Sequence, residues 1–178
     1  MIRLLSTRRL FLFSLFSICF TLQGCASRGE PEVKVKIGMH VDAVLEFIVE
    51  YPLSWNKDRR LVFDSKEGEV RWTHPDHPQT LLRIRSFVPE RQAPGIEQQI
   101  DQALHEYVEL EISTREAVTL PAGEAWHITG QTAQVDADIY LLLRTDRGYS
   151  IELTAPRDNI DAYEDVMDRV THSFRTIP

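Results

Sequence analysis

The chain has 178 residues, a formal net charge of −7 and 43% apolar residues, a length and composition that suit one core-bearing domain. The balance of 27 Asp+Glu against 20 Lys+Arg argues against nucleic acid or bare anionic lipid as a partner unless the basic residues cluster on one face. Only Cys19 and Cys25 carry thiols, so this is not a disulfide-built scaffold.

In chain order, the start "MIRLLSTRRL" holds Arg3, Arg8 and Arg9 and no acid, and "FLFSLFSICF" follows. A basic start, a short apolar run and a small-residue exit have the layout of a secretory signal peptide. The run from Leu10 to Leu22, about 13 residues with serines inside it, matches a signal core of ~7–15 better than a span of about 20. Leu22-Gln23-Gly24-Cys25 resembles the lipobox of bacterial lipoproteins: an aliphatic residue, a variable position, a small residue and the modified cysteine. The resemblance implies that the Cys25 sulfur takes a diacylglycerol, that a peptidase cuts before it, and that the freed amine is acylated, for example with palmitate. Gln23 is a less usual filler than Ala or Ser. Ala26, where Asp would signal retention, implies an outer-membrane destination facing the periplasm.

Cleavage after residue 24 removes Cys19 and leaves Cys25 as the sole thiol, so no intramolecular disulfide forms and the core alone holds the domain. The expected organisation is a signal peptide over 1–24, a lipidated tether over 25–32 ("CASRGEPE") and one domain over 33–178. No internal repeat or low-complexity tract follows the tether.

"VKVKIGMHV" alternates and suits an extended segment. "AVLEFIVEYPLSW" fits a strand through Leu45, Phe47, Val49 and Tyr51, or a helix through Val41, Val44, Leu45 and Ile48. Its β-branched and aromatic content and Pro52 favour a strand over Ala43 to Tyr51. "RLVFDSKEGEVRW" reads as a hairpin turning at Lys66-Glu67-Gly68, and "QTLLRIRSFV" as a further strand. Pro94 and Gly95 open a stretch with Ile96, Ile100, Ala103, Leu104, Tyr107 and Val108 at helical spacing. "STREAVTL" and "EAWHITGQT" flank a turn at Pro121-Ala122-Gly123, and "ADIYLLLRT" and "YSIELTA" flank another at Asp146-Arg147-Gly148. Apolar residues on both faces of "IYLLL" predict a strand in the middle of the sheet. In "RDNIDAYEDVMDRVTHSF", Ile160, Tyr163, Met167, Val170 and Phe174 form a helical stripe that Asp158 or Asn159 can cap. These elements predict an α+β fold.

The early "YPLSW", the mid-chain helix, the two late hairpins and the final helix closing on "HSF" together resemble the PsbP-like fold, including DcrB-like bacterial lipoproteins. The resemblance spans about Ala43 to Ile177 and implies a central antiparallel sheet sandwiched by helices. Members of that fold range from photosystem extrinsic subunits to nucleotide-release factors and secretion chaperones, so no catalytic residue is carried over.

His74, Asp76 and His77 in "WTHPDHPQ" are ligand types for zinc or copper. However, Pro75 and Pro78 forbid the helix that would align them, and a polar loop explains them as well. Without a G-x-S-x-G elbow, and with Cys25 committed to lipid, no nucleophile suggests itself. His105, His127 and His172 read as surface or satisfied histidines. Glu106, Glu109 and Glu111, and Asp161, Glu164, Asp165 and Asp168, read as solvated helix faces, with no calcium-loop spacing. Trp55, Trp72 and Trp126 read as core, with Trp126 facing the sheet interior; an exposed Trp55 or Trp72 would instead suit a protein interface. The expectation is a lipid-anchored envelope module without cofactor or catalysis, attached to the membrane through Cys25 and binding an envelope protein. A sensor or carrier of a small molecule or metal is the alternative.

Overall fold

The computed structural model describes residues 35–62, 66–89, 98, 100, 101, 104 and 109–178. These fall in one compact unit, Lys34–Pro178; the expected signal peptide over 1–24 and the expected lipidated tether over 25–32, with Cys25, lie outside the described residues. Among the described residues ten strands make two antiparallel sheets. The larger has the order β3-β4-β5-β9-β8-β7-β6, with β3 Asn56–Leu61, β4 Gly68–Thr73, β5 Leu81–Phe87, β6 Glu111–Leu120, β7 Gly123–Gln131, β8 Val135–Leu143 and β9 Gly148–Pro156. The smaller has the order β1-β2-β10, with β1 Ile37–Asp42, β2 Phe47–Pro52 and β10 Arg175–Thr176. A 3-10 turn, Ile160–Tyr163, leads into α1, Glu164–Ser173.

Register explains the layers, because residues paired across strands share a face. Val70, Ile84, Ile151, Tyr140, His127 and Glu116 form one continuous row across the large sheet. Trp72, Leu82, Leu153, Asp138 and Thr129 form the next. Both rows are apolar at the β4 end and polar at the β6 end. Over the apolar end pack Leu45, Phe47 and Val49, with Val166, Met167 and Val170 of α1 and the adjoining Phe174, all buried. On the opposite face Ile128, Ile139 and Leu141 pack with Ile100 and Leu104. Gln98, Ile100, Asp101 and Leu104 are helical, as the Ile100/Leu104 spacing predicts, and the rest of that expected helix lies outside the described residues.

Several expectations need correction. "Sandwiched by helices" overstates the helical part: among the described residues the fold is sheet-rich, with one short complete helix, and the small sheet covers much of one face. Strand β2 starts at Phe47, not Ala43, because the Asp42 carboxylate accepts hydrogen bonds from the N–H groups of Val44 (3.1 Å) and Leu45 (2.9 Å) and turns the chain there. In the first hairpin Leu61 pairs with Gly68, so Gly68 belongs to β4 rather than to the turn. A Cβ at Gly68 would lie 2.5 Å from the Arg60 carbonyl oxygen. The "IYLLL" strand, β8, lies inside the large sheet with both faces packed, as expected, and the central strand beside it is β9. Asn159 holds the cap position of the 3-10 turn without a side-chain cap bond.

Candidate functional site

Beyond Ile151 the shared row turns polar, and a groove of about 420 Å³ opens between the β6 end of the large sheet and the 3-10 turn. His127, Asp136, Asp138, Asp161 and Glu164 supply its charge, over apolar Ala137, Leu153 and Ile160. Alternation along β8 puts Asp136, Asp138 and Tyr140 on one face. The β9–turn connection then brings Asp161 and Glu164 opposite, held partly by the Asp158 N–H donating to the Asp136 carboxylate at 2.8 Å.

His127 is fixed from three sides. Its Nε2 lies 2.7 Å from the Asp138 carboxylate, its Nδ1 lies 3.2 Å from that of Glu116, and its ring stacks on Tyr140 at 4.4 Å and 12°. The Asp138 hydrogen bond, outweighing burial and helped by Glu116, raises its pKa above the ordinary 6.5. Burial, with Asp138 and the other carboxylates, pushes the Tyr140 hydroxyl up to about 12. With both ring nitrogens engaged by carboxylates, His127 is a poor base for the nearby Ser113. The groove is an acidic recess that suits a cation rather than a nucleophile–base pair.

A second polar knot joins the sheets. Arg59 of β3 donates to Asp42 of β1 through Nε (2.6 Å) and Nη2 (2.8 Å). Burial pushes the Asp42 carboxyl up, but Arg59 and the Leu45 and Val44 N–H groups outweigh it and hold the carboxyl below its usual range. The Lys57 ammonium donates to His40 Nδ1 at 2.9 Å, and His40 lies among the rings of Phe47, Tyr51 and Trp72. Burial, then Lys57, lowers the His40 pKa.

The remaining sequence candidates are placed as follows. His74, Asp76 and His77 sit in the β4–β5 loop, where His74 Nδ1 accepts from the N–H groups of Asp76 and His77, both at 3.2 Å. The His74 pKa is lowered by burial and by His77. Among the described residues no three His, Cys, Asp or Glu side chains gather as a metal site. His172 is exposed beside the Asp168 carbonyl, and His105 lies outside the described residues. Trp72 and Trp55 are buried, and Trp126 is half-buried, packed as expected against the cluster of Ile128, Ile139 and Leu141, with the Arg115 guanidinium over its ring. Asp161 and Glu164, read as plain solvated surface, line the groove. The sequence reading did not single out Asp136, Asp138 or His40; the one available signal was "VDADIY", an alternating strand whose polar members are acids.

No protein-family model and no curated protein matches the sequence. Among solved structures, the chain is similar to PsbP (CyanoP) from Synechocystis sp. PCC 6803, with a TM-score of 0.61 and 12% identity over 80% of this chain and 93% of that one. It also aligns with LpqN of Mycobacterium tuberculosis, involved in cell envelope biogenesis, at a TM-score of 0.47 and 12% identity over 85% of this chain and 88% of that one. The likeness to the cyanobacterial protein is one of architecture, and the chain has a PsbP-like fold.

Proposed function

We propose that this chain is a lipid-anchored, periplasm-facing lipoprotein of the outer membrane that works as a non-catalytic binding module for an envelope protein. The observation that carries the binding role is strand β6. It is a ten-residue edge strand that pairs, among the described residues, only with β7, and it runs beside the acidic groove. An edge strand offers a row of backbone donors and acceptors that an added strand completes. By contrast β3, the other edge of this sheet, carries Lys57, Asp58, Arg59 and Arg60, a charge pattern that blunts strand addition. A basic extended segment added to β6 would meet Glu116, Asp138, Asp161 and Glu164. The anchor at Cys25 rests on the lipobox sequence.

A photo-crosslinking residue in place of the exposed Glu116 tests this in cells. The expected result is one envelope protein captured, with capture reduced by Asp161→Lys and Glu164→Lys. Capture of nothing specific, together with turnover of a small substrate, would sink the reading.

A second reading is supported by the groove itself. Its apolar floor and acidic rim suit a cationic small molecule, as in a sensor or carrier. A rise in melting temperature with an organic amine, lost in Asp138→Asn, would favour it.

A further inference from the structure

The outer face of the small sheet carries a row that no described element covers. Met39 is 68% and Val41 56% exposed, with Val44 44% exposed in the following turn, and Val41 pairs with Ile48 on the same face. Next to it a groove of about 540 Å³ runs against the end of α1. Met39 and Ile48 form its apolar wall, and Arg169, His172 and Arg175 line the other side; Glu50, the one acid in the lining, is ion-paired with Arg169 at 3.7 Å. In a chain of net charge −7, two arginines against one glutamate give this groove a local excess of positive charge.

We propose that this face lies against the phospholipid surface in which the chain is anchored, with Met39 and Val41 meeting the acyl boundary and Arg169 and Arg175 meeting lipid phosphates. The inference rests on the lipid-anchor reading, because the short sequence separation between Cys25 and β1 selects the occupant. Nine residues separate Cys25 from Val35, which leads directly into β1, a reach over ten steps of at most about 36 Å. Strand β1 is thus the first described element after the anchor. Exposed apolar side chains flanked by arginines are the chemistry of an interfacial membrane contact. On the opposite side of the small sheet, His40 and Asp42 of β1 bind Lys57 and Arg59 of β3. Seating β1 on lipid therefore leaves the other end of the large sheet, with β6, free for a partner.

The test uses the full chain purified from membranes and reconstituted into phosphatidylglycerol-containing vesicles. Mass spectrometry first reports diacylglycerol on Cys25; a chain without it overturns the anchor reading, and the docking with it. A fluorophore is then attached at Met39→Cys and, as a control, at Ala133→Cys in the exposed β7–β8 turn. The expected result is blue-shifted emission at position 39, with most of it lost to nitroxide-bearing lipids, no such loss at position 133, and a smaller loss in Arg169→Glu/Arg175→Glu. Equal quenching at both positions, or an unquenched probe at 39 on a lipidated chain, overturns the docking while leaving the anchor intact. So does a photo-crosslink from position 39 to an envelope protein, which would make the face a protein interface.

Discussion

Glu152 lies on the central strand with 2% of its surface exposed and its charge met by Arg83, whose Nε donates to Oε2 at 2.6 Å. A buried carboxylate costs several kcal/mol unless paired, and removing one partner costs more than the pair contributes. Arg83→Met is expected to destabilise the domain by about 3–5 kcal/mol, with much of that recovered in Arg83→Met/Glu152→Met, as measured by urea unfolding. The two fixed histidines give opposite pH dependences. His127, between Asp138 and Glu116, has a folded pKa raised above 6.5, so its contribution is complete below 6.5 and is lost as pH rises through the folded value. His40, beside Lys57, Asp42 and Arg59, has a folded pKa below 6.5. Its contribution is complete above 6.5 and is lost as pH falls from there through the folded value. Urea midpoints measured across this range should show a shallower acid decline in His40→Phe and a shallower alkaline decline in His127→Gln. The His40 environment was not legible in the sequence, because Lys57 and Arg59 come from a strand that only the fold makes its neighbour; Glu116 faces His127 across the predicted β6–β7 hairpin, but the approach of Asp138 depends on the pairing of β8 with β7.

At the scale of elements, Phe174 illustrates a position the sequence identified well. The stripe through Met167 and Val170 placed it on the apolar side of the last helix, and it is fully buried against Phe47 and Tyr149. Phe174→Ala is expected to cost about 3–5 kcal/mol in chemical denaturation. Gly68 illustrates the reverse. Its composition suggested a turn, yet it sits in β4 because a side chain there meets the backbone of β3. Gly68→Ala should cost roughly 1–3 kcal/mol through that clash, with unpairing of β3 from β4 visible as lost amide protection at Arg60 and Leu61. The two late hairpins were legible because alternation and turn residues are local signals. The start of β2 was not, because a capping carboxylate overrides the propensity of Ala43 to Leu45. Strands β8 and β9 are similarly apolar, and strand order, a long-range property, decides which lies at the centre.

Across the whole molecule the charge is divided. Carboxylates gather at the His127 groove beside β6, and Arg169 and Arg175 gather on the outer face of the small sheet. A net charge of −7 conceals this division. Raising ionic strength should weaken capture of a basic partner at β6, because exposed charges more than about 8–10 Å apart are screened at ~0.1 M salt. A pull-down at graded salt checks this: capture unchanged by salt would assign the contact to backbone pairing and apolar area instead.

The sequence by itself determined a stretch that resembles a lipobox at Cys25, the mixture of sheet and helix, the late hairpins and the apolar stripe of the last helix. Each of these is written in neighbouring residues or in a short period. The tertiary structure alone decided that β9 is central, that a small sheet rather than helices covers much of one face, and that His127 stands between Asp138 and Glu116. It also decided that Met39 and Val41 face outward. The physical reason is that alternation fixes which residues share a face of a strand, whereas register and strand order, settled by packing between distant segments, fix which face is buried and what stands beside it.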